Sequence, residues 1–388
     1  MNEPKLRFKA DDGSQFPDWE EKKLGDVCEY RKGQSVGVNY VGTENMNQNF
    51  SGVDSLDSTN EVKGVMYCVG DTLMSNIRPY LKKTWKADRN GVCSTDVLVF
   101  HPVNVDSDFL HCNISSEKFI SYVMTGVKGS KMPRGDKSRI MEYDMSIPSL
   151  PEQQKIAEFL STVDTVIEKQ KETVSAWEER KKGVMQKLFS QEVRFKADDG
   201  SDFPEWEEKK FANLYRKNVE KNVNLEFDSS KTISIASMQF NEKGNGASED
   251  SLSSYKVLRL GDIAFEGHEN KEYSHGRFVL NDIGDGIMSP RFSCMRPVCT
   301  QVDGFWKYYI HSERVMRNIL VRSTKKGTMM HELVIPDFLK QSIMVPSLPE
   351  QQKIADCLSS LDEVIEKQKA TLAAWEALKK GLLQQMFA

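Results

Sequence analysis

The segment Pro148-Ser-Leu-Pro-Glu-Gln-Gln-Lys-Ile-Ala begins a block that runs to Lys171 and decides how the chain is organised. The block returns as Pro346–Lys369 with 19 of 24 positions identical. A second segment, Arg7–Lys23, returns as Arg194–Lys210 with 15 of 17 positions identical. Two such matches in the same order indicate a tandem duplication within the 388 residues.

The repeated segments form a frame around two dissimilar stretches, Cys28–Asp144 (module 1) and Tyr215–Ser342 (module 2). Each stretch is long enough to bury a core of its own. Because the frame is nearly constant while the modules differ, the pattern indicates one scaffold that presents two unlike recognition surfaces. We predict an α+β protein in four parts: a mixed α/β domain with its frame segment over 1–147, a long helix over 148–190, a second such domain over 191–345, and a second long helix over 346–388.

Each repeated block predicts a long helix. Pro151 and Pro349 suit a first helical turn, and the glutamate after each is favourable there. Apolar residues then recur at alternating spacings of three and four, with eight of ten seam positions apolar in each copy, as in a coiled coil. The alternative is an ordinary amphipathic helix packed on its own domain. The seam positions are Ile156, Leu160, Val163, Ile167, Gln170, Val174, Trp177, Lys181, Val184 and Leu188 in the first copy, and Ile354, Leu358, Leu361, Ile365, Gln368, Leu372, Trp375, Lys379, Leu382 and Met386 in the second.

The chain order of module, helix, module, helix predicts that the two helices form an antiparallel coiled coil about a pseudo-twofold axis, with a module at each end. Gln170 and Gln368 then face each other at the centre. A polar pair in an apolar seam selects one register, since a slip would bury each amide against carbon. The same symmetry places Trp177 towards Leu361, Trp375 towards Val163, and Ile156 towards Leu382.

Composition predicts a cytoplasmic globular protein. No apolar run reaches the length of a membrane span, and the N-terminal residues lack a signal segment. The seven cysteines show no metal-ligand spacing, which predicts reduced thiols and no zinc site. The formal net charge is −4, but module 1 has 14 basic and 14 acidic residues and module 2 has 18 and 16. The excess acid therefore lies in the frame, which leaves the modules compatible with DNA binding.

Short alternating segments predict strands in both modules. They are Tyr40–Met46, Val69–Pro79 and Cys93–Pro102 in module 1, with weaker counterparts at Ile233–Met238, Leu260–Phe265 and Met288–Pro297 in module 2. Before each helix, Lys128-Gly-Ser130 matches Lys326-Gly-Thr328. The modules are therefore predicted to share a mixed α/β plan and to differ in most side chains.

Basic residues concentrate after each frame segment, after a Gly-Asp turn, and in a loop before each helix. Flexible basic loops can reach phosphates, while Asn, Gln and Arg side chains read base edges. For any one residue, the alternative is a solvated surface charge. The candidates for DNA contact are Arg31, Lys32, Asn76, Arg78, Tyr80, Lys82, Lys83, Lys128, Lys131, Arg134, Lys137 and Arg139 in module 1, and Arg216, Lys217, Lys271, Arg277, Arg291, Lys325 and Lys326 in module 2.

The sequence contains none of the common catalytic motifs. It has no GxxxxGK[ST], GxGxxG or HExxH pattern, and no Asn-Pro-Pro-aromatic motif of amino-methyltransferases. Pro17-Asp18 with Glu20–Lys22 imitates part of a nuclease site, but the spacing is too tight for two strands and the segment repeats as frame. The six histidines show no ligand or triad spacing. We therefore predict no catalytic residue and no metal site.

Two copies of Leu-Pro-Glu-Gln-Gln-Lys-Ile-Ala, together with Gly70-Asp-Thr-Leu-Met-Ser-Asn-Ile-Arg-Pro79 and Tyr40-Val-Gly-Thr-Glu-Asn-Met46, resemble the specificity (S) subunit of Type I restriction–modification systems. The resemblance covers the whole chain. It implies two target recognition domains that each read one half of a bipartite sequence in double-stranded DNA. Module 2 departs from the pattern, because Leu260–Phe265 is followed by Glu-Gly-His-Glu-Asn rather than Ser-Asn-Ile-Arg-Pro.

The resemblance also implies partners. The helical regions would dock two methyltransferase (M) subunits, and restriction (R) subunits would join through the complex. S-adenosylmethionine, ATP and magnesium are then expected on those partners, with no cofactor on this chain and no membrane partner. Two other classes stay open: a coiled-coil adaptor whose modules bind proteins, and an enzyme with an unrecognised site. DNA pull-down tests the first, and methyl transfer by the isolated chain tests the second.

The predicted helix pair makes the distance between half-sites depend on helix length. One heptad added to both helices should move the modules apart by about 10 Å, or roughly three base pairs at 3.4 Å each. Methylation mapping in cells that carry the chain and its partners should then show a longer spacer between unchanged half-sites. An unchanged spacer would contradict the antiparallel arrangement.

Overall fold

The computed structural model describes residues 4–129, 131–241 and 249–387. The chain divides into two compact units: Met1–Thr173 with Gln368–Ala388 (unit 1), and Val174–Lys367 (unit 2). Each unit contains one module and a part of both long helices. The α+β class and the two long helices predicted from the sequence are confirmed. Within the described ranges, no helix is long and apolar enough to cross a membrane.

The first frame segment and module 1 form short elements before the first long helix. The strands are β1 Glu20–Lys23, β2 Cys28–Tyr30, β3 Ser35–Gly37, β4 Val62–Tyr67, β5 Thr72–Ser75, β6 Thr84–Lys86, β7 Gly91–Cys93, β8 Val97–Pro102 and β9 Asp144–Ile147. The helices are α1 Leu24–Val27, α2 Ser107–Ile114, α3 Glu117–Thr125, α4 Lys137–Ile140 and the long α5 Leu150–Phe189, with a 3₁₀ turn at Pro79–Leu81.

The second half of the chain follows the same order. Its strands are β10 Glu207–Lys210, β11 Tyr215–Lys217, β12 Ile233–Ser234, β13 Gln239–Phe240, β14 Lys256–Leu258, β15 Ile263–Glu266, β16 Arg277–Leu280, β17 Gly286–Met288, β18 Ser293–Pro297, β19 Thr324–Lys326, β20 His331–Leu333 and β21 Ser342–Val345. Its helices are α6 Asp303–Tyr309, α7 Glu313–Ser323, α8 Ile335–Lys340 and the long α9 Leu348–Met386, with 3₁₀ turns at Phe211–Asn213, Ser229–Lys231 and Glu249–Ser254.

Each module is built on a four-stranded antiparallel sheet. The strand order is β2-β8-β5-β6 in module 1 and β11-β18-β15-β16 in module 2. The registers match, since Cys28 pairs with Pro102 in one sheet and Tyr215 pairs with Pro297 in the other. A smaller sheet accompanies each, β3-β4-β7 in module 1 and β14-β17 in module 2. The shared plan predicted from weak sequence echoes is therefore confirmed.

The strand predictions within the modules are only partly right. Val69–Pro79 contains β5, and Leu260–Phe265 leads into β15. Tyr40–Met46 is wrong: Val41 forms a single bridge to Cys93, and residues 43–45 form a turn. The turn closes because Asn45 Oδ1 accepts from the Gly42 N–H at 2.8 Å, a local competition for backbone groups that alternation does not reveal. Ser130, part of the loop match before the first helix, lies outside the described residues.

The frame segment closes each module by pairing with the strand that precedes the long helix. β1 pairs antiparallel with β9, and β10 pairs antiparallel with β21. The end of the opposite long helix then seals each core. In unit 1 the ring of Phe387 packs 5.5 Å from that of Phe109. In unit 2 the ring of Phe189 packs 5.1 Å from that of Tyr309.

A buried ion pair joins each frame segment to the start of a long helix. The Arg7 guanidinium donates from Nε and Nη2 to the two carboxylate oxygens of Glu152, at 3.2 and 2.9 Å. Arg194 repeats this with Glu350 at 3.0 and 2.9 Å. Both glutamates are fully buried. Each lies in the first turn of its helix, where a negative charge is also stabilised by the helix dipole.

Gln153 and Lys155 of the repeated block bind the module and the frame segment. Gln153 Oε1 accepts from the Asp106 N–H at 2.8 Å, and its Nε2 donates to the Pro148 carbonyl at 2.8 Å. Lys155 donates to the Lys9 carbonyl at 3.0 Å. In unit 2, Gln351 and Lys353 make the matching bonds to Val302, Pro346 and Lys196. The motif Glu-Gln-Gln-Lys is therefore a clamp.

Within each unit, the parts of the two long helices run antiparallel. In unit 1, Asp164 pairs with Lys379 at 2.5 Å, and further along Gln170 lies beside Gln368. Gln170 Nε2 donates to the Oε1 of Gln368 at 2.7 Å and to its carbonyl at 3.0 Å. The predicted glutamine pair is therefore formed.

The lysines of the seam also have partners that the sequence analysis did not identify. In unit 2 Lys181 pairs with Asp362 at 2.5 Å, which repeats the Lys379–Asp164 pair of unit 1. Ile156 and Leu382 belong to one hydrophobic cluster, as predicted. The proximity of Trp177 to Leu361 and of Trp375 to Val163 stays a prediction.

Breaking one clamp should destabilise its unit strongly. Removing one partner of a buried pair leaves an uncompensated charge, so Arg7→Ala should lower the free energy of unfolding by about 3–5 kcal/mol. The double variant Arg7→Met/Glu152→Leu should be less harmful than Arg7→Ala, because no lone charge remains. Urea unfolding followed by circular dichroism measures both. Lys22→Ala is the control, since its pair with Glu20 is exposed and should contribute less than about 1 kcal/mol. A loss in Arg7→Ala no larger than in the control would contradict the clamp.

Candidate nucleic-acid interface

In module 1, three segments meet at the end of β5. The Asn76 N–H donates to the Asp96 carbonyl at 2.8 Å, and the Arg78 N–H donates to the Pro133 carbonyl at 2.7 Å. Residues 128 and 134 bridge to form a hairpin, and Arg134 pairs with the Asp96 carboxylate at 3.2 Å. The exit of β5, the turn between β7 and β8, and the hairpin thus form one polar surface.

Several candidate cations of this surface are held by other residues of the module. Lys128 pairs with Asp136 at 2.5 Å, and that hydrogen bond is the main reason why the pKa of Asp136 is lowered. Lys82 pairs with Glu117 at 2.6 Å. Lys83 donates to the Thr43 carbonyl at 2.7 Å. The three lysines therefore have partners within the module, which makes them less available to a ligand.

Other candidates of module 1 project without a protein partner. Across the part of the chain that the structure describes, the side chains of Arg78, Lys131, Lys137 and Lys32 form no hydrogen bond or ion pair, and all four are exposed. Arg78 has a left-handed backbone with φ 51° at the start of the 3₁₀ turn, and Tyr80 beside it is 47% exposed. Asn76 is buried, and its Oδ1 accepts no hydrogen bond from the described residues. Arg139 is partly engaged, since it donates to Thr125 Oγ1 at 3.0 Å.

Arg31 belongs to a structural site. Its Nε donates to the buried Asp71 carboxylate at 3.0 Å, and His101 Nδ1 lies 2.7 Å from the same group. The hydrogen bond that Arg31 donates to Asp71 raises the pKa of Arg31. Module 2 also has a buried carboxylate, Asp262, which pairs with Arg296 at 2.8 Å. The arginine that pairs with the buried carboxylate therefore lies just after β2 in module 1 and in β18 in module 2.

In module 2, the hairpin of β19 and β20 is largely neutralised. Lys325 pairs with Glu332 at 3.1 Å, and Lys326 lies 3.9 Å from Glu269. Arg277 donates to the Ala236 carbonyl at 2.7 Å and lies over the ring of Tyr273 at 5.1 Å. Among the described residues, Arg216, Lys217, Lys271 and Arg291 are exposed and have no partner.

Sequence reasoning missed two lysines of module 2. Lys221 and Lys256 form an antiparallel bridge, and Lys256 Nζ donates to the Phe292 carbonyl at 2.6 Å. Burial lowers the pKa of Lys256, and the positive charges of Lys217 and Lys221 lower it further. Residues 217 and 221 lie in a visible charge run, but only the strand pairing brings residue 256 to them.

Grouping and pKa determine which titratable side chains of the described residues could bind a metal ion or act as nucleophiles. In those ranges, no three or more His, Cys, Asp or Glu side chains are grouped so as to hold a metal ion. Burial raises the pKa of the Cys28, Cys93 and Cys112 thiols to about 12, so these thiols are protonated and weakly nucleophilic at neutral pH. Burial also lowers the pKa of His111 to about 4, which keeps that imidazole neutral.

Comparison with known proteins gives a consistent picture. The family model for the Type I restriction modification DNA specificity domain matches residues 17–175 and 287–374, well over half of the chain. The specificity subunit of the Type I restriction enzyme MjaVIII from Methanocaldococcus jannaschii is 24% identical over 97% of this chain and 94% of its own length. The EcoDI specificity subunit from Escherichia coli is 30% identical over 29% of this chain and 26% of its own length.

Solved structures show the same fold. A chain from a structural study of the assembly and conformational transition of a Type I system superposes with a TM-score of 0.59 at 17% identity, covering 96% of this chain and 98% of its own. The S subunit of the Type I restriction-modification system from M. genitalium superposes with a TM-score of 0.55 at 13% identity, covering 100% and 99%.

The family match, the full-length relative and the twice-repeated clamp agree, and the adaptor alternative has no comparable support. The chain belongs to the Type I restriction modification DNA specificity domain family, and it is a DNA-recognition subunit.

Proposed function

We propose that this chain reads a bipartite target in double-stranded DNA for a Type I restriction–modification complex, with one half-site read by module 1 and the other by module 2. The observation that carries the proposal is the repeated clamp. Arg7–Glu152 and Arg194–Glu350 hold the two frames in the same way, while the surfaces of the modules differ. A repeated frame that carries two different modules is suited to a DNA target with two unrelated half-sites.

The repeated frame also supports two equivalent docking sites for M subunits. Each frame segment, its paired strand and the first turns of its long helix repeat with the same hydrogen bonds. A surface that occurs twice can bind the same partner twice. Restriction subunits would then join through the M subunits.

Catalysis is assigned to the partners. The relatives are specificity subunits, and the sequence has no motif for binding S-adenosylmethionine or ATP. S-adenosylmethionine, ATP and magnesium would therefore be bound outside this chain, and the purified chain alone should neither methylate nor cut DNA.

Exchange of one module tests this division of labour. Replacing Cys28–Asp144 by the corresponding module of a family member with a known target should change one half of the methylated motif and leave the other half unchanged. The reason is that the Arg7–Glu152 pair and the strand β1 lie outside the exchanged segment, and that Gln153 contacts the module through the backbone N–H of Asp106. The motif is mapped by sequencing methylated DNA from cells that also carry the M subunit.

The reciprocal exchange of Tyr215–Ser342 is the matched control and should change the other half. A change in both halves on either exchange would show that the modules do not read independently. Methyl transfer by the purified chain without an M subunit would overturn the non-catalytic assignment.

Module 1 should contact DNA phosphates through its unpaired cations. Phosphate contacts release counterions, so each lost contact lowers the slope of log K against log salt by about 0.9. The triple variant Arg78→Gln/Lys131→Gln/Lys137→Gln should therefore bind all duplexes more weakly, with a slope reduced by up to about 2.7. The sequence alone suggests Lys128 for this set, but its ion pair with Asp136 favours Arg78 in its place.

Fluorescence anisotropy with a labelled duplex at several salt concentrations measures the slope. Three lysines of α5 provide the control: Lys169→Gln/Lys171→Gln/Lys182→Gln removes the same charge from residues outside the modules. Equal slopes in wild type and the module 1 variant would show that these cations are solvated surface charges that do not contact DNA.

A further inference from the structure

Module 2 concentrates positive charge near the turn between β17 and β18. Lys217, the last residue of β11, pairs with Met295 of β18. Lys221 bridges to Lys256, whose Nζ donates to the carbonyl of Phe292, the residue after Arg291. Backbone pairing therefore brings four cations from three separate segments to one place. We call Lys217, Lys221, Lys256 and Arg291 the β11–β14 patch.

The patch has no acidic counterpart among the described residues. The nearest carboxylate along the chain, Glu220, accepts from Arg259 at 2.6 Å through one oxygen and from Arg296 at 2.7 Å through the other. Each of its oxygens therefore already accepts a hydrogen bond from an arginine. Lys256 is half-buried, and among the described residues its ammonium donates to one neutral carbonyl, that of Phe292. An ammonium has three donors, so two of them remain for a ligand.

Module 1 has no such patch at the matching positions. The registers of the two sheets align Lys217 with Tyr30 and Arg291 with Asp96. The bridge between Lys221 and Lys256 corresponds to the position of Gln34 and Val65, next to the pair Ser35–Gly64. Four cations in module 2 thus replace an aromatic, an amide, an apolar and an acidic residue in module 1.

The hairpins show the opposite distribution. In module 1 Arg134 of the hairpin pairs with Asp96 of the turn, and Lys131 has no partner among the described residues. In module 2 the hairpin lysines face Glu332 and Glu269. Among the described residues, the hairpin therefore carries a cation without an acidic partner in module 1 but not in module 2, where such cations form the β11–β14 patch.

We propose that the β11–β14 patch is the phosphate-binding subsite through which module 2 holds the DNA backbone, so that the two modules grip DNA through non-equivalent positions of one fold. The proposal rests on the proposed function, because the phosphates are those of the DNA target. Uncompensated cations close together are unfavourable in the free protein, and a polyanion supplies the missing countercharge. The subsite would position module 2 without selecting bases.

Neutralising the three exposed members tests the subsite. Lys217→Gln/Lys221→Gln/Arg291→Gln should reduce the slope of log K against log salt by about 2.7, which means about 40-fold less loss of affinity between 50 and 200 mM salt than in the wild type. The methylated motif should stay the same when M subunits are present. The charge-conserving variant Lys217→Arg/Lys221→Arg should keep the wild-type slope. Circular dichroism confirms that each variant is folded.

A matched variant on the hairpin side distinguishes the outcomes. Lys271→Gln/Lys325→Gln/Lys326→Gln removes the same charge and should change the slope by less than one unit. If this variant loses the slope while the patch variant keeps it, module 2 binds DNA through its hairpin and the inference is wrong. If the patch variant keeps the wild-type slope while the module 1 triple variant loses it, the inference fails but the proposed function stands. A wild-type chain that binds no duplex, alone or with M subunits, would overturn the proposed function itself.

Discussion

The buried carboxylates of Glu152 and Glu350 are the constraint on which the rest of this structure depends. A buried charge is stable only with a close partner and further hydrogen bonds. Arg7 and Arg194 supply that partner through two parallel bonds each. Because each arginine comes from a frame segment and each glutamate from a helix start, one ion pair fixes the module closure and the helix direction together.

This arrangement leaves the modules free to diverge. The arginine–glutamate pairs of the clamp lie outside Cys28–Asp144 and Tyr215–Ser342. Gln153 and Gln351 contact the modules through the backbone N–H groups of Asp106 and Val302, so side-chain substitutions there do not remove these bonds. The buried acid of each sheet shows how far divergence has gone. Asp71 is neutralised by Arg31 at the exit of β2, and Asp262 by Arg296 of β18. Both sheets thus bury an aspartate that needs a cationic partner, but the arginine that supplies it comes from a different position. The exposed cations near the turn before β8 and β18 also come from different positions in the two modules.

Polar groups in the helix seam fix the register as hydrogen-bonded pairs. Gln170 Nε2 donates to Oε1 and to the carbonyl of Gln368 within unit 1. The seam lysines meet aspartates, Lys379 with Asp164 in unit 1 and Lys181 with Asp362 in unit 2. A shift of one turn would separate these pairs and leave each group half-buried without a partner, which is unfavourable. Helix length and register are therefore tied to each other.

The sequence alone determined the duplication, the two long helices and the central glutamine pair, because periodic patterns and repeats report directly on local structure and symmetry. It did not determine which cations are free. Nothing in the sequence distinguishes the cations that are paired from those that are not. Only the tertiary contacts show that Arg31, Lys82 and Lys128 pair with Asp71, Glu117 and Asp136. Arg78 and Lys131 have no such partner among the described residues. Likewise, Lys256 joins Lys217 and Lys221 through antiparallel pairing across 35 residues of chain. Long-range pairing decides these neighbours, and such pairing leaves no periodic mark in the chain.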